Sequence, residues 1–416
     1  MKNFKQIIGV VLICFISSCA TKSEKNEPPR ENNVPEFTTY QQDLDFLQRF
    51  TAIDLLQEPA GKGMVAVSPS LQARVMTSSS DGLQGRSYGW INRDLFESGD
   101  TLDHINPFGG EERFWLGPEG GQFSIFFKKG TEFNLTNWQT PAFMDLESFQ
   151  RKNQSESSAL YEHDAKFTNY AGFTFDINIQ RHIEVLPASE IYQSLKLAKN
   201  DALKVVGYQT TNTLTNSGSL SWNSKTGLLS IWLLGMFNPS DATTIVVPFF
   251  EGDSSVMGRV VNDSYFGKVP AERLKIGKGV LYFSGDGKYR SKIGLLPKRA
   301  KDIIGSYDAN SKTLTIVTYS KPENVTEYVN SQWEIQERPY GGDVINSYND
   351  GPTEDGGKPL GPFYELETSS PALSLNAGES GTHIQRTFHF EGKEVDLDKI
   401  EAKLLGVSLE EIKTAL

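Results

Sequence analysis

Cysteine is almost absent from this sequence: its 416 residues include only two, Cys14 and Cys19, both close to the amino terminus. A disulfide framework is therefore excluded, because the rest of the chain contains no thiols to join. The five histidines show no spacing typical of metal sites, and no phosphate-binding loop or nucleophile elbow is present. The sequence thus indicates neither a metal nor another cofactor.

Basic residues are in the minority, with 41 Lys and Arg against 52 Asp and Glu, a net charge of −11 and a pI near 5.1. Nucleic-acid-binding surfaces need clustered positive charge to neutralise phosphates. This balance argues against a nucleic-acid partner. It also disfavours polyanionic glycans, unless a local basic patch provides the missing charge.

Long apolar runs are also lacking, apart from one near the start of the chain. Residues 7–16 are apolar and follow Lys2 and Lys5, but the run is too short to span a bilayer. This pattern is typical of a secretory leader. The following Ser17-Ser18-Cys19 resembles a bacterial lipobox, which predicts a signal peptide over residues 1–18 and an acylated Cys19. An ordinary leader with an incidental cysteine is the alternative.

The segment after the leader is polar and contains proline, with almost nothing to bury, so we expect a disordered tether over residues 19–38. An acylated cysteine on a flexible tether would anchor the protein to a lipid membrane. We therefore expect a location in the bacterial cell envelope, in the periplasm or on the outer-membrane surface.

The remaining chain is rich in aromatic residues (11%) and breaks into short segments that alternate with period two. A helix is expected over residues 39–50, and a hairpin turns at Gly61-Lys62-Gly63. No helices suited to regular βαβ crossovers follow, which predicts a mostly β fold of packed antiparallel sheets in one domain, residues 39–395. Further strands are expected at 122–127, 174–186, 202–213, 228–234, 243–250, 280–284, 313–320, 332–337, 364–367 and 383–390.

Helical character returns in the tail, residues 396–416. Ile400 and Leu404 share one face, Gly406 ends that helix, and Ser408 with Glu411 has the spacing of a capping box. We expect a short pair of helices that packs on the β domain.

The most unusual string is Gly-Gly-Glu-Glu-Arg-Phe-Trp-Leu-Gly-Pro-Glu-Gly-Gly at residues 109–121. It places Arg113, Trp115 and Glu119 close together. Aromatic faces stack on the C–H surfaces of sugars, while guanidinium and carboxylate groups bind hydroxyls. These three residues are therefore candidates for binding a sugar. Alternatively, the glycines form turns and the tryptophan fills the core.

This string resembles the Gly-Gly-x-Arg-Leu-Trp-x-x-Pro-Glu segment of galactose mutarotase-like proteins. Three later segments resemble the same superfamily in the same order. They are Phe-Asp-Ile-Asn-Ile-Gln-Arg-His-Ile at 175–183, the strand with an Asn-x-x-x-Asn ending at 206–216, and Tyr-Glu-Leu-Glu-Thr-Ser-Ser-Pro at 364–371 with Gly-Glu-Ser at 378–380. The whole chain looks closest to uncharacterised bacterial lipoproteins of this superfamily.

The resemblance implies a large antiparallel supersandwich with a carbohydrate ligand, and it implies roles for particular residues. The family's base corresponds to Glu367, and Glu365 lies on the same face of the strand because side chains alternate. Two solvated carboxylates on an outward face are the alternative. The family's acid is a histidine on the mid-chain strand, where this sequence has Asn212 instead. His104 is the candidate to replace that histidine as a catalytic residue.

Two other clusters contain residues suited to binding. Asp286 and Arg290 lie in a glycine-containing turn that suits hydroxyl or carboxylate ligands, or that is simply a charged hairpin tip. Residues 341–350 are rich in oxygen ligands for Ca²⁺ but lack a recognised spacing, so a disordered loop is the expectation there.

Three hypotheses follow from these residues. The first is a membrane-anchored carbohydrate-binding protein, the second is an active aldose 1-epimerase-type enzyme with Glu367 as base, and the third is a structural lipoprotein. The absence of a histidine on the mid-chain strand slightly favours the first over the second. The first two predict one cleft that gathers the candidate residues, whereas the third predicts that they are scattered.

Overall fold

Antiparallel strands dominate the computed structural model, which describes residues 37–352 and 357–416. The segment Phe37–Leu416 forms one compact unit. The predicted signal peptide, Cys19 and nearly all of the predicted tether lie outside the described residues. Among the residues that are described, no helix has the length and apolarity needed to cross a lipid bilayer.

The strands follow one another along most of the described chain. Their bounds are β1 Asp54–Gln57, β2 Met64–Ser68, β3 Arg74–Ser79, β4 Arg113–Gly117, β5 Gln150–Gln154, β6 Ser158–Thr168, β7 Thr174–Val185, β8 Lys204–Asn216, β9 Ser230–Phe237, β10 Thr243–Pro248, β11 Leu274–Ile276, β12 Val280–Ser284, β13 Ser291–Leu295, β14 Ile303–Asp308, β15 Thr313–Tyr319, β16 Ile345–Asn349, β17 Tyr364–Ser369 and β18 Ser380–Glu391.

The α-helices are short, and three of the six in the described chain lie near its two ends. Their bounds are α1 Tyr40–Leu47, α2 Arg93–Ser98, α3 Ala188–Ser194, α4 Ser254–Met257, α5 Glu394–Leu404 and α6 Leu409–Lys413. Thr39 begins α1 through a capping box with Gln42, and Ser408 begins α6 through the predicted capping box with Glu411.

The strands form three antiparallel sheets. The largest has ten strands in the order β11-β12-β10-β14-β15-β18-β8-β7-β6-β5, and a second has five in the order β13-β16-β17-β9-β4. A third sheet contains β1, β2 and β3. The predicted mostly β fold with large antiparallel sheets and a short helical tail is confirmed.

The ten-stranded and five-stranded sheets face each other, and side chains bond across the space between them. Thr368 of β17 contacts His383 of β18 at 2.9 Å, and Ser306 of β14 contacts Tyr364 of β17 at 2.8 Å. On the far side of the ten-stranded sheet, α5 and α6 contribute Leu397, Ile400 and Ile412 to a core cluster with strand residues. The five-stranded sheet therefore has an inner face toward the large sheet and an outer face directed away from it.

A charged group lies buried between the two large sheets. Glu112 accepts hydrogen bonds from Arg181 at 2.8 Å, from Thr210 at 3.0 Å and from Gln385 at 2.9 Å. All four of these residues are buried. We name them the inter-sheet network.

Two predicted strands are absent from the described chain, and one predicted loop is a strand. Residues 122–127 and 332–337 form turns and bends, because the Gln122 side-chain amide bonds the backbone of Gln336 in both directions. The oxygen-rich segment 341–350 contains β16 rather than a disordered loop. Its Asp343 carboxylate is bonded by Arg259 at 3.0 Å and by Tyr265 at 2.6 Å.

Candidate functional site

Strand register brings candidate residues together on the outer face of the five-stranded sheet. Residues Thr368 and Tyr364 of β17 bond groups of the ten-stranded sheet, so the alternating Glu365 and Glu367 point the other way. Glu367 and Arg113 both lie opposite Leu234 of the intervening strand β9. The side chains from β4, β9 and β17 therefore share one face.

Paired glycines start the segment that leads into β4. Gly109 and Gly110 have φ values of +97° and +114°, a region that favours glycine. A Cβ on Gly109 would lie 2.0 Å from the carbonyl oxygen of Trp90. This close approach lets the chain reach β4 with Glu112 in the inter-sheet network and Arg113 on the outer face.

Arg113 forms a buried ion pair with Glu365 across the face. The Arg113 guanidinium also lies 5.1 Å from the centre of the Trp115 ring. Burial and the neighbouring Glu367 raise the pKa of Glu365 to about 7, although Arg113 and Lys292 oppose the increase. Glu365 is thus a carboxyl group that changes its protonation near neutral pH.

Glu367 is held at one oxygen and unpartnered at the other. Its Oε2 accepts hydrogen bonds from Nζ of Lys292 and from Nε1 of Trp232, both at 2.9 Å. Its Oε1 has no hydrogen-bond partner within the described ranges 37–352 and 357–416, and the residue is 0% exposed. The Lys292 ammonium lies 4.8 Å from the Trp232 ring centre and 5.7 Å from that of Tyr265.

Glu119 completes the cluster from the loop after β4. Its backbone N–H donates to Oγ of Ser331 at 3.1 Å, which fixes the loop against the segment that carries Trp333. Burial raises the pKa of Glu119 to about 7, with Glu367 raising it further and Lys292 and nearby indoles lowering it. Unlike Glu367, Glu119 is only partly buried.

A continuous wall of aromatic rings borders these charged groups. Neighbouring ring centres are 5.3 to 5.9 Å apart, and the pairs at the outer end are stacked. The buried indole N–H of Trp115 has no hydrogen-bond partner in the described part of the chain, whereas the Trp138 indole interacts with the Glu119 carboxyl group. The wall contains, in order, Trp232, Trp115, Phe126, Trp138 and Trp333.

We name Arg113, Glu119, Lys292, Glu365 and Glu367 the carboxylate site. Its members with access to solvent are Glu119 and Lys292, next to the partly exposed Trp333 and Tyr265. Two surface cavities of about 530 and 330 Å³ lie elsewhere, around Thr38 and Arg93. A ligand would approach the carboxylate site past its partly exposed members, Glu119 and Lys292, and the neighbouring Trp333.

Some predicted site residues lie apart from this cluster. Asn212 is completely buried in the ten-stranded sheet, where its amide donates to Thr210 and to the backbone oxygen of His383. Asp286 pairs with Arg273 at 2.6 Å beside the opposite end of the large sheet. Neither has a described contact with the carboxylate site, and Oδ1 of Asn212 is buried with no hydrogen-bond partner among the described residues.

His104 and Arg290 lie nearer to the cluster without joining it. The His104 ring bonds the backbone oxygen of Trp138 at 2.6 Å, so it supports the aromatic wall from behind. The Arg290 guanidinium lies 4.3 Å from the Phe266 ring centre. Its charge acts on Asp350, and the charge of Asp350 in turn acts on Glu365. Neither has a described contact with Glu367.

Sequence reasoning missed the roles of Lys292, Trp232 and Trp333. In the sequence, Lys292 follows the charged turn that contains Asp286 and Arg290. In the structure it lies on β13, where the alternation of side chains along the strand directs it to the outer face. Trp232 lies in an apolar strand with no polar marker, and Trp333 lies in a segment predicted to be a strand. The neighbours of these residues in space are distant in sequence, so no local pattern could have identified them.

Among the described residues, no group of three or more His, Cys, Asp or Glu side chains is arranged so that it could hold a metal ion. The acidic members of the carboxylate site are bonded instead to arginine, lysine and indole groups.

Comparisons with known proteins give a family and a set of similar folds. The profile of a family of unknown function, DUF6786, matches residues 38–416. No curated protein sequence matches the chain.

Three solved structures are similar to this chain over 82% of its length at 11% sequence identity. A candidate aldose 1-epimerase from Escherichia coli K12 is covered to 100% with a TM-score of 0.49, and protein Slr1438 from Synechocystis to 96% with 0.48. A galactose mutarotase-like protein from Lactobacillus casei is covered to 99% with 0.43.

Proposed function

The chain belongs to the family of unknown function DUF6786, and we propose that it binds a carbohydrate at the carboxylate site. The observation that carries this proposal is the gathering of three glutamates, an arginine and a lysine beside five aromatic rings on one sheet face. Sugars present apolar C–H surfaces and hydroxyl groups together, so they match a site that offers both aromatic faces and polar groups.

The charge balance of the site favours a neutral ligand. Arg113 and Lys292 are each paired with a glutamate, so the positive charge of each is already balanced within the site. Within the site, Nε1 of Trp115, Nε of Arg113 and Oε1 of Glu367 are buried and have no hydrogen-bond partner among the described residues. Hydroxyl groups satisfy donors and acceptors alike.

An aldose 1-epimerase-type activity is the second candidate. Ring opening of a sugar needs proton transfer at the anomeric hydroxyl and at the ring oxygen. The pKa values of Glu119 and Glu365, both raised to about 7, place two carboxyl groups in the range where proton transfer is efficient at neutral pH. A purely structural role would not require such groups beside an approach from solvent.

The test is a ligand screen on the full-length protein. Free neutral sugars are compared by thermal shift and by saturation-transfer NMR, with anomer exchange measured in the same samples. Trp333→Ala removes the partly exposed end of the aromatic wall and should weaken binding about tenfold, or about 1.4 kcal/mol. Phe250→Ala is the matched control, because this exposed ring contacts Lys301 far from the site in the fold.

The outcomes separate the candidates. Binding with exchange supports the enzyme, and binding without exchange supports the binding protein. If no sugar in the panel shifts the thermal transition or gives an NMR response, the carbohydrate proposal is rejected. An equal loss of affinity in both aromatic variants would remove the carboxylate site from the proposal.

Membrane anchoring remains a separate proposal, and it concerns residues outside the described ranges. The leader and the lipobox-like Ser17-Ser18-Cys19 support acylation of Cys19 and a place in the bacterial cell envelope. Cys19→Ser should abolish incorporation of a labelled fatty acid and release the protein from the membrane fraction. Membrane association that survives the substitution would reject the lipid anchor.

A further inference from the structure

We infer that Glu119 is the catalytic residue of the carboxylate site, and that its one carboxyl group transfers protons at both the anomeric hydroxyl and the ring oxygen of a reducing sugar. The inference rests on the proposed sugar site and extends it from binding to anomer interconversion. It assigns to Glu367 a positioning role instead of the role of base that the sequence resemblance implied.

The surroundings of Glu367 argue against its acting as the base. The residue is 0% exposed, and its Oε2 is bonded by both Lys292 and Trp232. A proton accepted at the unpartnered Oε1 would neutralise the charge that pairs with Lys292, so this ion pair disfavours Glu367 as a base. The Lys292–Glu367 pair is instead suited to fixing the lysine over the Trp232 ring.

Glu119 has the access that Glu367 lacks. It is partly exposed, and it borders the partly exposed Trp333 at the outer end of the aromatic wall. A sugar ring that stacks at this end would therefore meet Glu119 before any other carboxyl group of the site. The charged groups that act on Glu119 come from two strands, Lys292 of β13 and Glu367 of β17, and Trp138 and Trp333 face it from the loops.

These neighbours keep Glu119 partly protonated at neutral pH. Burial and the negative charge of Glu367 raise the pKa of Glu119, and Lys292 and the two indoles limit the increase, so that it reaches about 7. A carboxylic acid carries a donor and an acceptor on the same carbon. The anomeric hydroxyl and the ring oxygen of a sugar are likewise both attached to one carbon, C1.

The reaction balances with this single group. The O–H of protonated Glu119 gives its proton to the ring oxygen while its other oxygen accepts the proton of the anomeric hydroxyl. The bond between C1 and the ring oxygen breaks, and the C1 carbonyl of the open-chain sugar forms. Rotation about the C1–C2 bond and the reverse transfer close the other anomer. Glu119 ends protonated, and no oxidant or second acid is needed.

The test is the pH profile of enzymatic anomer exchange, measured by NMR on the full-length protein after subtraction of the spontaneous rate. The protonated form of Glu119 is the active form, so the rate should be constant in mild acid and fall as pH rises through about 7. Glu119→Gln should lower the rate at pH 6 by about 100-fold or more while sugar affinity changes little. Glu334→Gln, an exposed glutamate beside Trp333, is the matched control and should behave as wild type.

Glu367→Gln separates the two assignments. Removing this negative charge lowers the pKa of Glu119, so the falling limb should move to lower pH with activity retained below it. Loss of exchange at every pH in this variant, or a wild-type rate that increases through pH 7, would instead identify Glu367 as base and overturn the inference. Sugar binding without exchange would also overturn it and leave the proposed function intact. No sugar binding would reject both.

Discussion

The inter-sheet network and the carboxylate site both bury glutamates beside a cation, yet they differ in how completely the carboxylates are bonded. Both oxygens of Glu112 accept hydrogen bonds, from Arg181 on one side and from Thr210 and Gln385 on the other. Glu367 is also 0% exposed, but its Oε1 has no partner among the residues described. A bonded carboxylate fixes the fold, whereas an unpartnered one next to an approach from solvent is suited to a ligand.

Access distinguishes the two regions as clearly as bonding does. The inter-sheet network is covered by a sheet on each side, so no member of it meets solvent. The carboxylate site is covered by loops, and its Lys292 keeps 11% of its side-chain surface exposed. Substitutions should therefore affect stability in the first region and ligand chemistry in the second.

The largest effect is expected for Arg181→Met in the inter-sheet network. This change leaves the Glu112 carboxylate buried without its cation, which should lower the free energy of unfolding by about 3–5 kcal/mol. Urea denaturation followed by tryptophan fluorescence measures it. The double variant with Glu112→Gln should recover part of the loss, and a loss below about 1 kcal/mol for Arg181→Met would contradict the structural role.

A smaller effect on stability is expected for Glu401 of α5, which is buried away from solvent and has no hydrogen-bond partner among the described residues. Both its oxygens are unpartnered in the described chain, and burial and Asp398 raise its pKa well above the usual value. The folded state therefore keeps a proton that the unfolded state loses, so stability falls as pH rises above the ordinary glutamate range. Glu401→Gln should remove this fall and gain about 1–3 kcal/mol at pH 8.

The measurement is the midpoint of urea unfolding between pH 5 and pH 8. Glu410→Gln changes an exposed glutamate of α6 and should leave the pH dependence as in wild type. Parallel curves for wild type and Glu401→Gln over this range would show that Glu401 is not protonated in the folded protein.

The smallest effect on stability is expected for Glu367→Gln in the carboxylate site. Its Lys292 partner keeps 11% of its side-chain surface exposed, so the loss should stay below the roughly 3 kcal/mol expected when an ion pair without solvent contact is broken. Glu112→Gln should lower the free energy of unfolding more, because the Arg181 side chain is 0% exposed and its charge would remain buried without a partner. Calorimetric melting of the two variants side by side makes the comparison, and equal losses would erase the distinction between the regions.

Much of the sheet structure could be predicted from alternation alone. The segments that became β7, β8, β10 and β12 have hydrophobic residues at period two or in short apolar runs, and their predicted and observed bounds differ by a few residues. Segments 122–127 and 332–337 also alternate or group apolar residues in the way that is typical of strands. They are not strands because the Gln122 side chain supplies the hydrogen bonds that a neighbouring strand would have given.

The site was less accessible to sequence reasoning than the sheets. Motif resemblance led to Arg113, Glu119 and Glu367, which the structure places in one cluster. Lys292 and Trp333 could not be found in this way, because they reach the cluster only through the pairing of β13 with β16 and the docking of a loop. Asn212 was predicted from a motif to bind the ligand, but it is completely buried within the ten-stranded sheet and lies apart from the cluster.

The order of strands in the five-stranded sheet has a consequence for synthesis of the chain. The central strand β17 pairs with β9 and β16 and is the penultimate strand in sequence. Until residues 364–369 are available, the two flanking strands present unsatisfied backbone edges to each other and to other chains. A chain that ends before Tyr364 therefore lacks Glu365 and Glu367. It also leaves the edges of β9 and β16 without hydrogen-bond partners, so truncation should produce aggregates rather than a soluble fragment.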